Sequence, residues 1–511
     1  MVNDFQDITA WYKCLLVAVN KAEPFYSDQP PFNPHFCYPE YIFPTELNPA
    51  LNAAYESVRN CFYLLGLDVE NFGSVNWNPL KNVIKPCHRV VVKPNFVLSS
   101  HNENGNLFSI ITHPSVIRAI VDYVFKALEG EGEIIIADAP QMDCNFSELL
   151  EKTNLQSIQE FYWKKVGFEI PILDLRDFWV DKKNGDTGAF VEQRRSLPGD
   201  PQGSTVINLG SKSRFYDRTN WKSFYGADYD RNETIRHHHG LIHEYMVSNT
   251  ILSSDVLISV PKLKVHKKVG VTLNTKGMVG INTNKNFLVH YTLGTPDKGG
   301  DQFPSNLFTN RERLIINIQR FLYDLLLSRK HKTLDAVYKY TVNLYKKFLK
   351  PAIGPVEVNK RIYDAGNWHG NDSAWRMVSD LMKIVIYTNK KGLLEDIPQR
   401  KIFSIVDGII GGENNGPLNP DEKKAGIVIA GFNPLAVDLV GTRIMGFDCQ
   451  KLKWAVDLIN NEHFDFYVGN VETIKILSDI PDFSDMFQTT NKLLNFIAPP
   501  GWRGNVELCQ E

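Results

Sequence analysis

The 511-residue sequence predicts an α/β fold: a mixed, largely parallel sheet flanked by helices, with an N-terminal extension and a helical insertion. Three observations carry this. Runs such as Val90-Val-Val92 and Ile134-Ile-Ile136 are continuous β-branched stretches, the pattern of strands covered on both faces. Strand, helix and strand follow one another between Arg89 and Asp138, the length of a βαβ unit. A second alternation of strands and helix runs from Lys401 to Arg443, so both halves of the chain supply the sheet.

Residues 1–88 are rich in Pro, Asn and aromatics and hold one helical pattern, Leu51 to Leu65; they read as an extension packed on the body. Residues 89–310 form the first α/β half. Its strand Arg89–Lys93 closes on Pro94-Asn95. Thr112-His113-Pro114 then opens a helix with a polar cap and Pro at the first helical position, and Gly130 and Gly132 end it. Glu133–Asp138 and Asp255–Val260 are the next buried strands. Residues 311–392 read as a helical insertion that includes a helix at Trp375–Tyr387. Residues 393–511 complete the sheet with strand Lys401–Asp407, a Gly/Asn loop from Gly408 to Pro417, strand Gly426–Ala430, and a helix opened by Asn433-Pro434.

Composition narrows the function. The 56 Lys+Arg against 58 Asp+Glu leave a net charge of -2, which excludes the overall basic footprint of a general nucleic-acid binder. No two of the seven cysteines form a C-x-x-C pair, so ligand spacing for a thiolate zinc site or a ferredoxin-type cluster is absent and no iron–sulfur cluster is expected. The apolar run Cys14–Val19 is too short for a signal peptide, and no stretch reaches the ~20 apolar residues of a membrane span. These features predict a cytoplasmic protein.

Chemistry is expected where the parallel strands end, because ligand crevices of open α/β sheets lie outside the carboxyl ends of the strands. Those ends are Lys93-Pro-Asn95, Asp138-Ala-Pro140, Pro261-Lys-Leu-Lys-Val-His266 and Asp407-Gly408. Strict alternation aims Lys262, Lys264, His266 and Lys268 to one side, a row that attracts phosphate or carboxylate. Lys93, Asn95, Thr272 and Lys276 join them as anion-binding candidates. His266 and His113 are the candidate general acid/base, since imidazole titrates nearest neutrality. Asp138 and Asp407 orient them. Asp407, Glu413 and Asp438 are candidate oxygen ligands for Mg²⁺, which needs few protein carboxylates when a substrate phosphate supplies the rest. A lysine-blunted edge strand is the plain alternative for the basic row.

Val-Val-Val-Lys-Pro-Asn95, Thr-His-Pro-Ser-Val116, Ile-Ala-Asp-Ala-Pro140, the stretch from Val256 to His266, Gly-Val-Thr272 with Lys276-Gly-Met-Val-Gly280, Val-Asp-Gly-Ile-Ile-Gly-Gly-Glu413 and Ala-Gly-Phe-Asn-Pro-Leu-Ala-Val-Asp438 occur in one order. Together they resemble the bacterial and archaeal family called domain of unknown function 362, over about residues 89–447 (a span set by the motifs). Many relatives carry a ferredoxin-like module; this chain lacks its cysteines, which argues against an electron-transfer role. The expectation is an enzyme acting on an anionic, phosphorylated or carboxylated small molecule. The alternative is a non-catalytic metabolite-binding or scaffold protein using the same cleft.

Three further features invite a reading. His239 and His243 stand at helical i, i+4 spacing, a candidate metal pair. His290, with Gly294, Gly299 and Gly300, suggests a lid or Ω-loop. Residues 320–350 carry eight Lys/Arg and two Asp, with Val337, Tyr338, Leu344 and Phe348 at helical spacing and Lys339, Lys346 and Lys350 on another face. Such a helix either packs on the body or lies on an anionic membrane surface as a peripheral anchor.

Overall fold

A computed structural model describes residues 7–181, 194–227, 230–327, 358–487 and 493–508, with isolated positions between 328 and 357. Among the described residues one sheet of eleven strands organises the molecule. In chain order these are β1 (Leu16–Lys21), β2 (Arg89–Pro94), β3 (Glu133–Asp138), β4 (Ile172–Asp174), β5 (Val256–Val260), β6 (Lys262–His266), β7 (Gly270–Val271), β8 (Lys401–Glu413), β9 (Asp421–Lys423), β10 (Ile427–Gly431) and β11 (Lys475–Ser478). The order across the sheet is β11-β1-β10-β8-β5-β2-β3-β4. The run β8-β5-β2-β3-β4 is parallel throughout, while β10 pairs antiparallel with both β8 and β1. The sheet is therefore mixed and largely parallel, and its strands come from both halves of the chain.

Helices cover both faces, which explains why the strands are apolar without alternation. Helix α1 (Ala53–Leu64) packs on α2 (Pro114–Leu128) and sets Phe62 against Phe403 of β8. On the opposite face lie α3 (Leu273–Gly277), α4 (Ala374–Tyr387) and α5 (Pro434–Ile444), with Gly441 within van der Waals reach of Ile429. Both X-Pro helix starts are real caps: the His113 ring accepts from Ser115 N–H, and Asn433 accepts from Leu435 and Ala436 N–H.

Two expectations are revised. The segment expected as a Gly/Asn loop from Gly408 continues as strand to Glu413. Its glycines serve close packing: a Cβ on Gly408 would stand 3.0 Å from both Leu263 and Ile427, so a glycine-rich run reads as a turn while acting as a tight strand. The N-terminal segment is more than a covering layer, because β1 lies inside the sheet between β10 and β11. The expected basic helix of residues 320–350 lies largely outside the described residues; the helix Asn310–Leu327 covers only its beginning.

Candidate functional site

The parallel strands β2, β3, β5 and β8 deliver their carboxyl ends to one rim. There β5 passes through Pro261 into β6, which turns at Lys267-Lys268 and returns as β7. A cavity of about 280 Å³ opens beside this hairpin. Its walls include Asn95, Asp138, Lys264, His266, Lys267, Lys268, Thr272, Lys276, Lys285 and His290. Five lysines and two histidines thus face one carboxylate, and that carboxylate is already committed: Asp138 Oδ1 takes Lys93 Nζ at 2.8 Å and Oδ2 accepts the Phe96 N–H. Gly280 presses on this ion pair so closely that a Cβ would fall 1.9 Å from Asp138 Oδ1.

Most of the lysines are held by main-chain carbonyls. Lys264 Nζ donates to Ile110 O (2.7 Å) and Pro417 O (3.2 Å), Lys268 Nζ to Ala365 O, and Lys285 Nζ to the carbonyls of Ala139, Asn282 and Val279. Lys276 and Lys267 differ, for neither ammonium has a hydrogen-bond or ion-pair partner among the described residues. Burial pulls the Lys276 ammonium down to about 8, with the Lys93 charge adding to the effect. Burial and neighbouring cations likewise hold Lys264 well below the ordinary lysine range, and bring Lys268 to about 7.

Thr272 joins β7 to α3, and the turn is unusual. Leu273 adopts φ +52°, a left-handed conformation costly for a branched side chain, and persists because the surroundings over-determine it. Asp438 supplies that restraint by accepting four bonds, from N–H and Nδ2 of Asn274 and from N–H and Oγ1 of Thr275, all between 2.7 and 2.8 Å. Thr272 borders the cavity, and its Oγ1 is buried without a partner. The hydroxyls of Thr234, Thr388, Ser404 and Thr442 are likewise buried without a partner, and of these five residues Thr272 alone borders the cavity.

The two imidazoles of the cavity are fixed in opposite tautomers. His266 Nδ1 accepts the Lys268 N–H at 3.1 Å, so a neutral ring carries its proton on Nε2. His290 Nδ1 faces the Leu288 carbonyl at 3.2 Å, and a carbonyl only accepts, so here Nε2 is bare. Burial lowers both pKa values well below the ordinary imidazole range, and Lys276 and Lys268 act on both rings in the same direction. Both are neutral at physiological pH.

Not every candidate meets at this cavity. Lys93, Asn95, Asp138, Lys264, His266, Thr272 and Lys276 line it or brace its wall. Lys262, Asp407 and His113, all buried, form a second cluster around the half-buried Tyr26. Lys262 Nζ stands 3.0 Å from Asp407 Oδ2 and donates to Tyr26 Oη at 2.5 Å; Tyr26 donates to Asp407 Oδ1 at 2.5 Å and stacks on His113 at 4.0 Å. Asp407 also accepts the His113 N–H. The register shift between Lys262 and Lys264 explains the split, since it breaks the alternation that would have aimed both lysines alike.

The three carboxylates singled out for Mg²⁺ do not share a site. Asp407 belongs to the Tyr26 cluster, Glu413 pairs with Lys423 and accepts the Ile497 N–H, and Asp438 is saturated by the α3 donors. Among the described residues no group of three or more His, Cys, Asp or Glu has metal-binding geometry. His239 and His243 are not on one helix. They sit in an antiparallel hairpin, and their rings meet the carbonyls of Ile235 and Gly240. His290 lies on no lid: Val289–Thr292 is a strand paired with Phe224–Gly226. His290, Lys285 and Tyr26 were not legible as site residues, because each arrives from outside the strand–helix alternation.

A family model described as domain of unknown function (DUF362) matches residues 90–177 and 204–443, more than half of the chain. The chain belongs to the DUF362 family. Every residue lining the cavity falls within the matched residues, while Tyr26 lies outside them. No curated protein and no solved structure matches this DUF362 chain. Among the described residues no helix is long and apolar enough to cross a membrane.

Proposed function

We propose that this DUF362 protein is an enzyme acting on a small anionic molecule, phosphorylated or carboxylated, bound in the lysine-lined cavity. One observation carries the reading: five lysines, Lys276 among them, line a cavity whose one carboxylate, Asp138, is already taken by Lys93 and the Phe96 N–H, and Thr272 with its unpaired hydroxyl borders the same space. An anion offers acceptors to the lysines and the hydroxyl at once. Lys264 and Lys268 each keep N–H capacity beyond their carbonyl bonds and add to the field, while Asn95 and the glycines Gly277 and Gly280 also line the cavity.

Calorimetry with inorganic phosphate on the full chain and on Lys276→Gln tests the anion reading. The expected result is binding to the wild type and a loss of about 10-fold or more in the variant, the weight of a hydrogen bond to a charged group. Equal affinity in both, or no binding of phosphate or acetate to either, overturns it. Metabolite profiling of a deletion strain complemented with His266→Ala separates enzyme from binder. An enzyme leaves the same anion accumulating in both strains, and a binder does not.

A further inference from the structure

Resting on that anion reading, we infer that His290 and His266 divide a proton abstraction between them. His290 Nε2 is the base that takes a proton from carbon beside a carbonyl or carboxylate group, and His266 Nε2–H is the neutral donor facing the oxygen that becomes negative.

The assignment follows from which nitrogen each ring has already spent. His290 uses its N–H on Leu288 O and presents a lone pair; His266 uses its lone pair on Lys268 N–H and presents an N–H. Two imidazoles free to rotate or to exchange tautomers would be interchangeable. These two are not, because their partners are main-chain groups, the Lys268 N–H in the turn that follows β6 and the Leu288 carbonyl just before the strand Val289–Thr292. Both belong to the same cavity wall as Thr272 and Lys276.

The step balances without a further reactant. The C–H bond breaks, its proton goes to His290 Nε2, and its electron pair moves to the adjacent carbonyl oxygen, giving an enolate. His266 donates a hydrogen bond to that oxygen and keeps its proton, as a neutral imidazole does when it acts as an electrophile. The lysines lining the cavity stabilise the enolate charge. Return of the proton from His290 to the same carbon, after the planar enolate has turned its other face to the ring, completes an epimerisation and restores the starting protonation states.

The charges facing the rings make the base conditional. Lys264, Lys268, Lys276 and His290 face His266, and Lys268, Lys276 and Lys285 face His290. With the cavity empty these cations hold His290 at low proton affinity. An anion seated among the lysines cancels part of their field, so the ring becomes a competent base only when substrate is present.

The test uses the full chain with ¹⁵N-labelled histidine and reads nitrogen shifts through the ring carbon protons. Either His266→Gln or His290→Gln suffices to assign the pair. At pH 7 the expected result is Nε2–H on His266 and Nδ1–H on His290, both neutral. Inorganic phosphate and sulfate then serve as probes, since phosphate carries a proton near neutrality and sulfate does not. Phosphate is expected to move His266 Nε2 and His290 Nε2 together, and sulfate to move His266 alone. Matching tautomers, an imidazolium at pH 7, or a His290 response that is the same for both anions overturns the inference while leaving the anion reading intact. If neither anion binds, both fall.

Discussion

Replacing Thr272 by Val separates what the fold wants from what the site wants. The two side chains are nearly isosteric and both β-branched, so the exchange removes one hydroxyl and leaves the φ/ψ demands of the turn unchanged. In the folded protein that hydroxyl is buried with no partner, a penalty of about 1–3 kcal/mol. Val lifts the penalty, and the variant is expected to be more stable by about 1–2 kcal/mol in urea unfolding with an unchanged m-value. Anion binding moves the other way. The lost hydrogen bond to a charged acceptor is worth about 1.5–3 kcal/mol, which weakens phosphate by roughly 10- to 150-fold in calorimetry. Thr272→Ser keeps the hydroxyl and should retain most of the affinity. A Val variant that is destabilised and binds phosphate as tightly as the wild type refutes the reasoning, for it means the hydroxyl serves the fold.

Gly280→Ala places a methyl 1.9 Å from Asp138 Oδ1 and 2.7 Å from Lys93 Nζ, so the ion pair must separate. Breaking a buried pair costs about 3–5 kcal/mol, and thermal unfolding should show the loss; a variant of unchanged Tm would contradict the packing described. Tyr26→Phe strips the hydroxyl shared by Lys262, Asp407 and the Ile410 N–H, so the expected cost is about 1–3 kcal/mol of stability with phosphate affinity unaltered. A loss of affinity there would tie the second cluster to the cavity. Acid should destabilise the fold below pH 6.5. His113, His238, His266 and His290 all have pKa values lowered by burial, His238 to about 3, so the unfolded chain binds protons that the folded one refuses. The sign is a stability present above the unfolded value and lost as pH falls, about 1.6 kcal/mol for His238 between pH 6.5 and 5 with the other three rings acting in the same direction, against which Asp438, raised to about 6, returns about 1 kcal/mol. Urea midpoints that are equal at the two pH values would refute this.

The sheet was legible because its strands are buried on both faces, and continuous runs such as Val90–Val92 leave few other readings. The cavity was partly legible for a related reason: parallel strands must end on one rim, and the residues at those ends, Lys93, Asp138, Lys264 and His266, are ionisable. Legibility stopped where placement depends on pairing that carries no periodic signal. His290 rides on a short strand whose partner is Phe224–Gly226, and nothing in either segment announces the other. Tyr26 reaches its cluster from a Pro-rich stretch without regular structure. Lys262 and Lys264 part company at a register shift that strict alternation cannot foresee. The carboxylates misled for the opposite reason. Asp438 and Glu413 have the chemistry of metal ligands, but neighbouring donors already occupy their oxygens.

The position of β1 also governs how the chain matures on the ribosome. Leu16–Lys21 is made long before its two sheet neighbours, Ile427–Gly431 and Lys475–Ser478. Synthesis of the roughly 400 residues that separate β1 from β10 takes roughly 20–80 s at ordinary translation rates, and for that time an apolar strand waits without a sheet partner. Such a strand is a template for pairing with other chains. The protein thus depends on keeping Leu16–Lys21 covered until its last strand emerges, and fragments released early should aggregate through this segment.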